Sequence, residues 1–369
     1  KKPIPKKTIK YLILSAILVV AACCKPAEET PKNNAIWLWG VHMKEAPVQD
    51  WAAKGYRHIL LNEAAFDRWG EEEVYAFMDD CDKLGMTVHV WFQAFYFDGK
   101  WVSPIDDEKK AIKQDFYDMV IERAKGYVKK GVKGIHLDYI RYGGTAHKHD
   151  YPECRATDSI TEFCRQLNVA VKAINPDVIL SAALMPEIDS EYYYGQDPAA
   201  MAKYIDILMP MVYRYGYAGE DKSLEWVNEV SNWFVEKAAG NAEVWVGIQT
   251  YTVDLEKVDE GEHVIAMNAE QLKADCVDVT NTNATGLVLF RHGIGDFPDV
   301  NDLWEKYDMK SPLAAFLGLM LVIAASAQER SRIIDEDMLN GFRKISGASF
   351  DERFLEQDML TVSLNQDIV

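Results

Sequence analysis

The sequence predicts an α/β fold, a closed (β/α)8 TIM barrel forming a single catalytic domain, with a signal peptide before it and an atypical tail behind. Three observations carry this. Eight short apolar runs alternate with amphipathic stretches between residues 35 and 307. Polar or charged side chains recur at the C-terminal ends of those runs, where such barrels place their functional groups. No glycine-rich phosphate loop follows the first run, which disfavours the rival fold, a doubly wound open sheet.

Taken in order, Ala35 to His42 reads as the first strand and Val48 to Lys54 as a helix. His58 to Glu63 is the second strand, and Glu71 to Leu84 a helix with Val74, Phe77, Met78 and Cys81 on one face, ended by Gly85. Thr87 to Gln93 is the third strand; the helix that follows it, about Asp107 to Lys130, carries Phe116, Met119, Val120 and Tyr127 at helical spacing. The fourth strand lies in V-K-G-I-H-L-D-Y-I-R-Y, Val132 to Tyr142, where Ile135 and Leu137 alternate with His136 and Asp138. Ser159 to Ile174 is helical, Val178 to Leu184 the fifth strand, Ala199 to Tyr204 a short helix and Ile205 to Met211 the sixth strand. A helix from Leu224 to Ala239, a seventh strand from Glu243 to Gln249, a helix from Asn268 to Val279, an eighth strand from Gly286 to Arg291 and a closing helix near Asp302 to Tyr307 complete the alternation.

Composition limits the partners. The formal charge of -18 and the lack of a basic patch beyond the first ten residues argue against nucleic acid or an anionic membrane surface as ligand. Ten Trp, eighteen Tyr and fourteen Phe provide rings that either fill the core or stack on sugar faces. Six Cys are too few for a disulfide scaffold; Cys154 and Cys164 are a candidate pair in an oxidising compartment, while Cys81 and Cys276 read as buried thiols.

The first ten residues hold five lysines and run into an apolar stretch from Tyr11 to Val20, which reads as a signal peptide over 1–22. V-A-A-C, ending at Cys23, resembles a bacterial lipobox and implies lipidation of Cys23; a plain secretory signal is the alternative. Residues 23–34 then form a linker. The expected location is the bacterial cell envelope, lipid-anchored at the outer membrane, on its periplasmic face or at the cell surface. From Met309 to Gln328 a lysine, an apolar run and an A-S-A ending read as a second signal-like segment, so 308–369 is expected to be a fusion or readthrough product, with a membrane hairpin or buried helix as the alternative.

The strand ends define the candidate site. They offer His42, Glu63 with Asp67, Gln93, Asp138 with Arg141, Glu187 with Asp189, Tyr213 with Arg214, Gln249 with Tyr251, and Arg291 with His292. Glycoside hydrolysis needs two carboxylates flanking the scissile bond, one ionised and one protonated. Asp138 and Glu187 close adjacent strands, so Asp138 is expected as nucleophile or base, kept ionised by Arg141, and Glu187 as general acid; alternatively Asp138 only pairs with Arg141 or caps the next turn. Substrate contacts are expected from Trp39, Glu63, Trp91, Gln93, Tyr139, Arg141, Tyr213, Gln249 and Arg291, with Trp37, Tyr96, Trp101 and Tyr251 as further rings. No metal and no cofactor are expected, since the His residues are scattered, His147-Lys-His149 reads as a solvated pair, and neither Gly-x-Ser-x-Gly nor a phosphate loop occurs.

G-I-H-L-D-Y-I-R-Y (134–142), L-S-A-A-L-M-P-E (180–187) and M-P-M-V-Y (209–213) resemble the glycosyl hydrolase-like barrels, in particular the glycosyl hydrolase-like 10 family. The resemblance implies a TIM barrel acting on polysaccharide or cell-wall glycan, with Asp138 at the family's strand-four carboxylate and Arg141 at its following basic position. Many relatives carry Pro after R-Y, where this chain has Gly143 and Gly144. The carboxylates on strands four and five are also similar to the alpha-amylase clan, although strand seven ends here in Gln249. The expected function is glycoside hydrolysis with a carbohydrate substrate; the alternative is a catalytically inactive, glycan-binding surface lipoprotein.

Overall fold

The computed structural model describes residues 33–257 and 263–304, with 349–350 and 362–363 as a separate two-stranded antiparallel pair. The signal peptide, Cys23, most of the linker and nearly all of the 308–369 tail therefore lie outside the described residues.

Eight strands close a parallel barrel in chain order: β1 Asn33–Leu38, β2 His58–Asn62, β3 Thr87–Gln93, β4 Gly134–Asp138, β5 Ile179–Leu184, β6 Ile207–Pro210, β7 Glu243–Gln249 and β8 Gly286–Phe290. Strand β1 pairs with both β2 and β8, so no edge is left open. The TIM barrel expected from the alternation is the fold observed. Strand β1 starts two residues before the expected boundary and ends earlier, because Gly40–Glu45 turns into a 3-10 helix that takes His42 away from the strand end.

Between the strands run α1 Val48–Ala53, α2 Ala64–Trp69, α3 Glu71–Lys83, α4 Gln114–Lys129, α5 Ala156–Lys172, α6 Ser190–Tyr194, α7 Pro198–Met201, α8 Leu224–Ala238 and α9 Ala269–Thr280. Local chemistry starts several of them: the Ser223 hydroxyl accepts from the Trp226 N–H, and Asn268 with Gln271 forms a reciprocal capping box. Helix α4 begins later than its apolar spacing suggests. The segment before it folds into a hairpin, Ile105–Asp106 against Ala111–Ile112, whose turn is held by the Asp106 carboxylate accepting the Glu108 and Lys109 N–H groups. The expected closing helix begins as turns at 301–304, and its remainder lies outside the described residues.

Two apolar layers result. Strand residues facing outward pack against the helices in one continuous core that includes Ile36, Leu61, Phe92, Ile135, Leu180 and Leu287. Residues of the opposite parity fill the barrel, among them Trp37, Leu60, Trp91, Met209, Trp245 and Val288. Large rings on one strand are matched by glycine on its neighbour. A Cβ on Gly134 would lie 2.4 Å from the His89 ring opposite it, and one on Gly286 would lie 2.5 Å from Trp245.

The interior also holds neutral polar groups. Trp37 Nε1–H donates to His136 Nε2 at 3.0 Å, so the ring proton sits on Nδ1 and points at Ser181 Oγ, 2.9 Å away. Burial pushes His136 down to about 3 and His58, which faces His89 at 3.1 Å, down to about 4. All four described cysteines are free thiols, so the candidate Cys154–Cys164 bridge does not form.

Candidate active site

The C-terminal ends of the strands surround a cavity of about 160 Å³ whose lining includes Trp39, Asn62, Trp91, Gln93, Asp138 and Tyr213. Six residues expected to touch substrate thus meet there with Asp138: Trp39, Trp91, Gln93, Tyr139, Arg141 and Tyr213. Strand parity explains the convergence. Trp91 and Gln93 on β3 face the same side as His136 and Asp138 on β4, with which they are in register. The same parity brings in Trp37, Asn62, Ala183, Met211 and Phe290, which strand-end polarity alone does not single out.

Asp138 is held by two donors. Its Oδ1 accepts the Tyr139 N–H at 2.7 Å, the turn-capping contact considered above, and its Oδ2 accepts Trp91 Nε1–H at 3.0 Å. Burial raises its pKa from the ordinary carboxylate value, against the opposing pull of these two hydrogen bonds and, last in size, of Arg141. Arg141 is thus the smallest of the three influences that favour the charged form of Asp138, and burial acts against all three. The Arg141 guanidinium instead stacks over Trp101, 4.5 Å from the ring centre, and donates to the Tyr142 carbonyl. Tyr213, stacked on Phe290 at 5.3 Å, is itself pushed well up by burial and by the nearby Asp138 charge.

The turn carrying these groups is strained and pinned. Tyr139 has φ of 51°, a left-handed conformation that costs a bulky side chain about 1–3 kcal/mol. Its carbonyl accepts from the Phe95 and Arg141 N–H groups, and the Asp138 carbonyl accepts from Ala94 N–H. Gln196, fully buried, ties the loops after β4 and β5 together: its amide donates to the Ile140 carbonyl while its oxygen accepts from Met185 N–H. The Gly143 position also finds its reason here. A Cβ there would lie 2.7 Å from the Trp101 ring, which packs flat against the backbone.

Other expected groups go elsewhere. Glu63 forms an ion pair with Arg123 on α4 and accepts from the Tyr127 hydroxyl, so it clamps a helix and does not face the cavity. It sits one residue past Asn62, the last inward position of β2, and parity turns it outward. Gln249 is 2 % exposed and forms two hydrogen bonds with the Tyr215 backbone, fixing the loop after β6. Arg291 lies over Trp39 at 5.6 Å, outside the cavity lining. Arg214 lies 3.6 Å from Asp275 on α9. Glu187 is not on the lining either; its Oε1 accepts from the Tyr194 hydroxyl at 3.2 Å, and the Tyr217 hydroxyl also faces its carboxylate. Arg141 nevertheless senses both carboxylates, Asp138 more strongly than Glu187. The two histidines expected to be solvated are packed: His149 meets Asp107 and His147 stacks on Tyr192.

Comparisons with known proteins agree with this architecture. Residues 88–253, from β3 to just past β7, match a family model described as "Putative glycosyl hydrolase domain". No curated protein matches the sequence. Similar solved structures include a chitinase from Chromobacterium violaceum ATCC 12472 (13 % identity, TM-score 0.52, covering 74 % of this chain and 96 % of that one). A class V chitinase from Pseudomonas fluorescens Pf-5 (12 %, TM-score 0.52, 74 % and 98 %) and a chitinase from Bacteroides thetaiotaomicron (11 %, TM-score 0.51, 70 % and 89 %) are similar to the same degree. At these identities the likeness is one of fold.

Proposed function

We propose that this protein is a glycoside hydrolase acting on polysaccharide or cell-wall glycan, with Asp138 as its proton donor. One observation carries the reading: at the C-terminal mouth of the barrel, the carboxyl group that lines the cavity is Asp138, held there by Trp91 Nε1–H and Tyr139 N–H and buried so that its pKa is raised. A protonated Asp138 delivers its proton to the glycosidic oxygen as the bond to the anomeric carbon breaks. The resulting carboxylate keeps two ready donors, Tyr139 N–H and Trp91 Nε1–H, which stabilise it without rearrangement. Trp39, Trp91 and Tyr213 supply rings for the sugar, and the Tyr213 hydroxyl stands close enough to Asp138 to sense its charge. The matched family model and the fold neighbours, which are chitinases, support the same class of substrate.

This reverses the roles expected from sequence, with Asp138 as acid and Glu187 as nucleophile or base across Arg141. A second reading follows from the cavity lining, on which Asp138 is the carboxylate present: the nucleophile then comes from the substrate itself, as in substrate-assisted glycoside hydrolases. Asp138→Asn is expected to lower kcat by about 10²–10⁴-fold while glycan binding persists. An equal loss in Glu187→Gln supports the two-carboxylate mechanism, and unchanged turnover supports substrate assistance. Wild-type protein that retains glycans but cleaves none across a broad panel would refute hydrolysis and leave a binding lipoprotein.

Membership of the glycosyl hydrolase-like 10 family, carried by the 134–142 motif, and a lipid anchor at Cys23 in the cell envelope belong to the same proposal. The anchor is supported by the V-A-A-C ending of the apolar run. Cys23→Ser is expected to move the protein from the detergent phase to the aqueous phase.

A further inference from the structure

A second, larger and more open cleft, of about 900 Å³, lies among the loops after β4 and β5 and helix α8, near the upper end of volumes that hold a bound ligand. Its lining includes His147, Ile188, Asp189, Tyr192, Tyr193 and Trp233. The loops after β4 and β5 form it with Trp233 and Lys237 of α8, and these same loops carry Arg141 and Glu187. Tyr192 and Tyr193 are 57 % and 50 % exposed, unusual for two consecutive large rings, yet both are held in place. His147 lies parallel to Tyr192 at 4.6 Å and 1°, and Tyr193 meets Tyr192 edge-on at 4.8 Å and 86°.

The two depressions are joined by aromatic contacts. From Trp101 the path runs to the Arg141 guanidinium (4.5 Å), then to Tyr194 (5.1 Å), Tyr193 (6.3 Å), Tyr192 (4.8 Å) and His147 (4.6 Å). Arg141 belongs to the cavity at one end and His147 to the cleft at the other. The polar groups of the cleft are of mixed sign: Asp150, Asp189 and Glu191 against Arg155 and Lys237, with Arg155 already paired to Asp150. A lipid tail or apolar peptide would leave these charges unsolvated, and an anion would face the carboxylates. A neutral, hydroxyl-rich ligand suits both features, because its C–H faces stack on exposed rings and its hydroxyls pair with donors and acceptors of either kind.

We propose that this cleft binds further sugar units of a polymeric glycan whose scissile bond sits at Asp138, making the protein selective for long chains. The inference rests on the glycoside hydrolase reading for the position of the bond, and on the cleft alone for polymer binding. The test uses the full chain, wild type against Tyr192→Ala/Tyr193→Ala. Both side chains are half-exposed, so thermal unfolding is expected to stay unchanged and to report folding of the variant.

Binding is measured by retardation in native gels containing glycol chitin or hydroxyethyl cellulose and by co-sedimentation with purified peptidoglycan. Turnover is measured on whichever polymer is bound and on a short chromogenic disaccharide glycoside of the same sugar. The expected result is binding about tenfold weaker in the variant, and kcat/KM lowered by a similar factor on polymer but unchanged on the short glycoside. Equal loss on both substrates, or equal retardation of variant and wild type, overturns the proposal while leaving hydrolysis intact. Absence of wild-type binding to all three polymers also overturns it. If wild type binds a polymer without cutting it, hydrolysis fails, and weaker binding by the variant still upholds the cleft.

Discussion

Acidification tests the interior of the barrel most directly, through His136. The ring is fully buried, its Nε2 accepts from Trp37 Nε1–H at 3.0 Å, and a second ring proton would set two donors against each other. Its pKa is accordingly about 3 in the folded protein against an ordinary 6.5. Below pH 6.5 the unfolded chain binds a proton that the folded one refuses, so stability is fully present above pH 6.5 and is lost as pH falls toward 3. Between pH 7 and pH 5 the loss is about 2 kcal/mol for this one residue. His89, also fully buried and pushed well down, acts in the same direction. The comparison to make is urea unfolding, followed by tryptophan fluorescence, at pH 7 and pH 5 for wild type and His136→Gln. The amide oxygen of Gln preserves an acceptor for Trp37, and contributions from titrating groups that do not interact with His136 cancel in the difference between the two proteins. Wild type is expected to lose about 2 kcal/mol more than the variant over this interval. Identical pH dependence of the two would show that His136 is not held neutral in the barrel and would refute the argument.

Three other substitutions separate structural from chemical roles. Glu63→Gln breaks the pair with Arg123 and is expected to cost about 2 kcal/mol in thermal unfolding with KM unchanged; a KM effect without destabilisation would return Glu63 to the substrate site. Tyr213→Phe keeps the stack on Phe290 but removes the hydroxyl near Asp138, and kcat is expected to fall by about 10- to 100-fold at constant stability. Gly143→Ala places a methyl 2.7 Å from Trp101 and displaces the ring from Arg141; kcat/KM on glycan is expected to fall about two- to fivefold, whereas an unchanged value would show that the Trp101–Arg141 stack does not shape the site.

By itself the sequence determined the barrel and pointed to Asp138 as the carboxylate at the tip of its fourth strand. Alternating apolar strands and amphipathic helices leave few ways to bury both, and eight such units close on themselves; Asp138, a charge at the tip of a buried strand, marked the functional end. What the sequence left open was every property that depends on neighbours distant in the chain. How strongly burial between β3 and β4 opposes the charge on Asp138 was set by the tertiary structure, where the pull of an arginine only three residues away is the smallest of the influences on it. Glu63 and Gln249 carry polar groups at strand ends like the others, and only the tertiary structure shows that a helix and a loop use them as clamps. The start of α4 and the pairing of Cys154 with Cys164 were undecidable for the same reason, since local spacing is silent about competing hairpins and through-space distance. The aromatic path from Trp101 to His147 joins three separate loop segments that are brought together when the barrel closes.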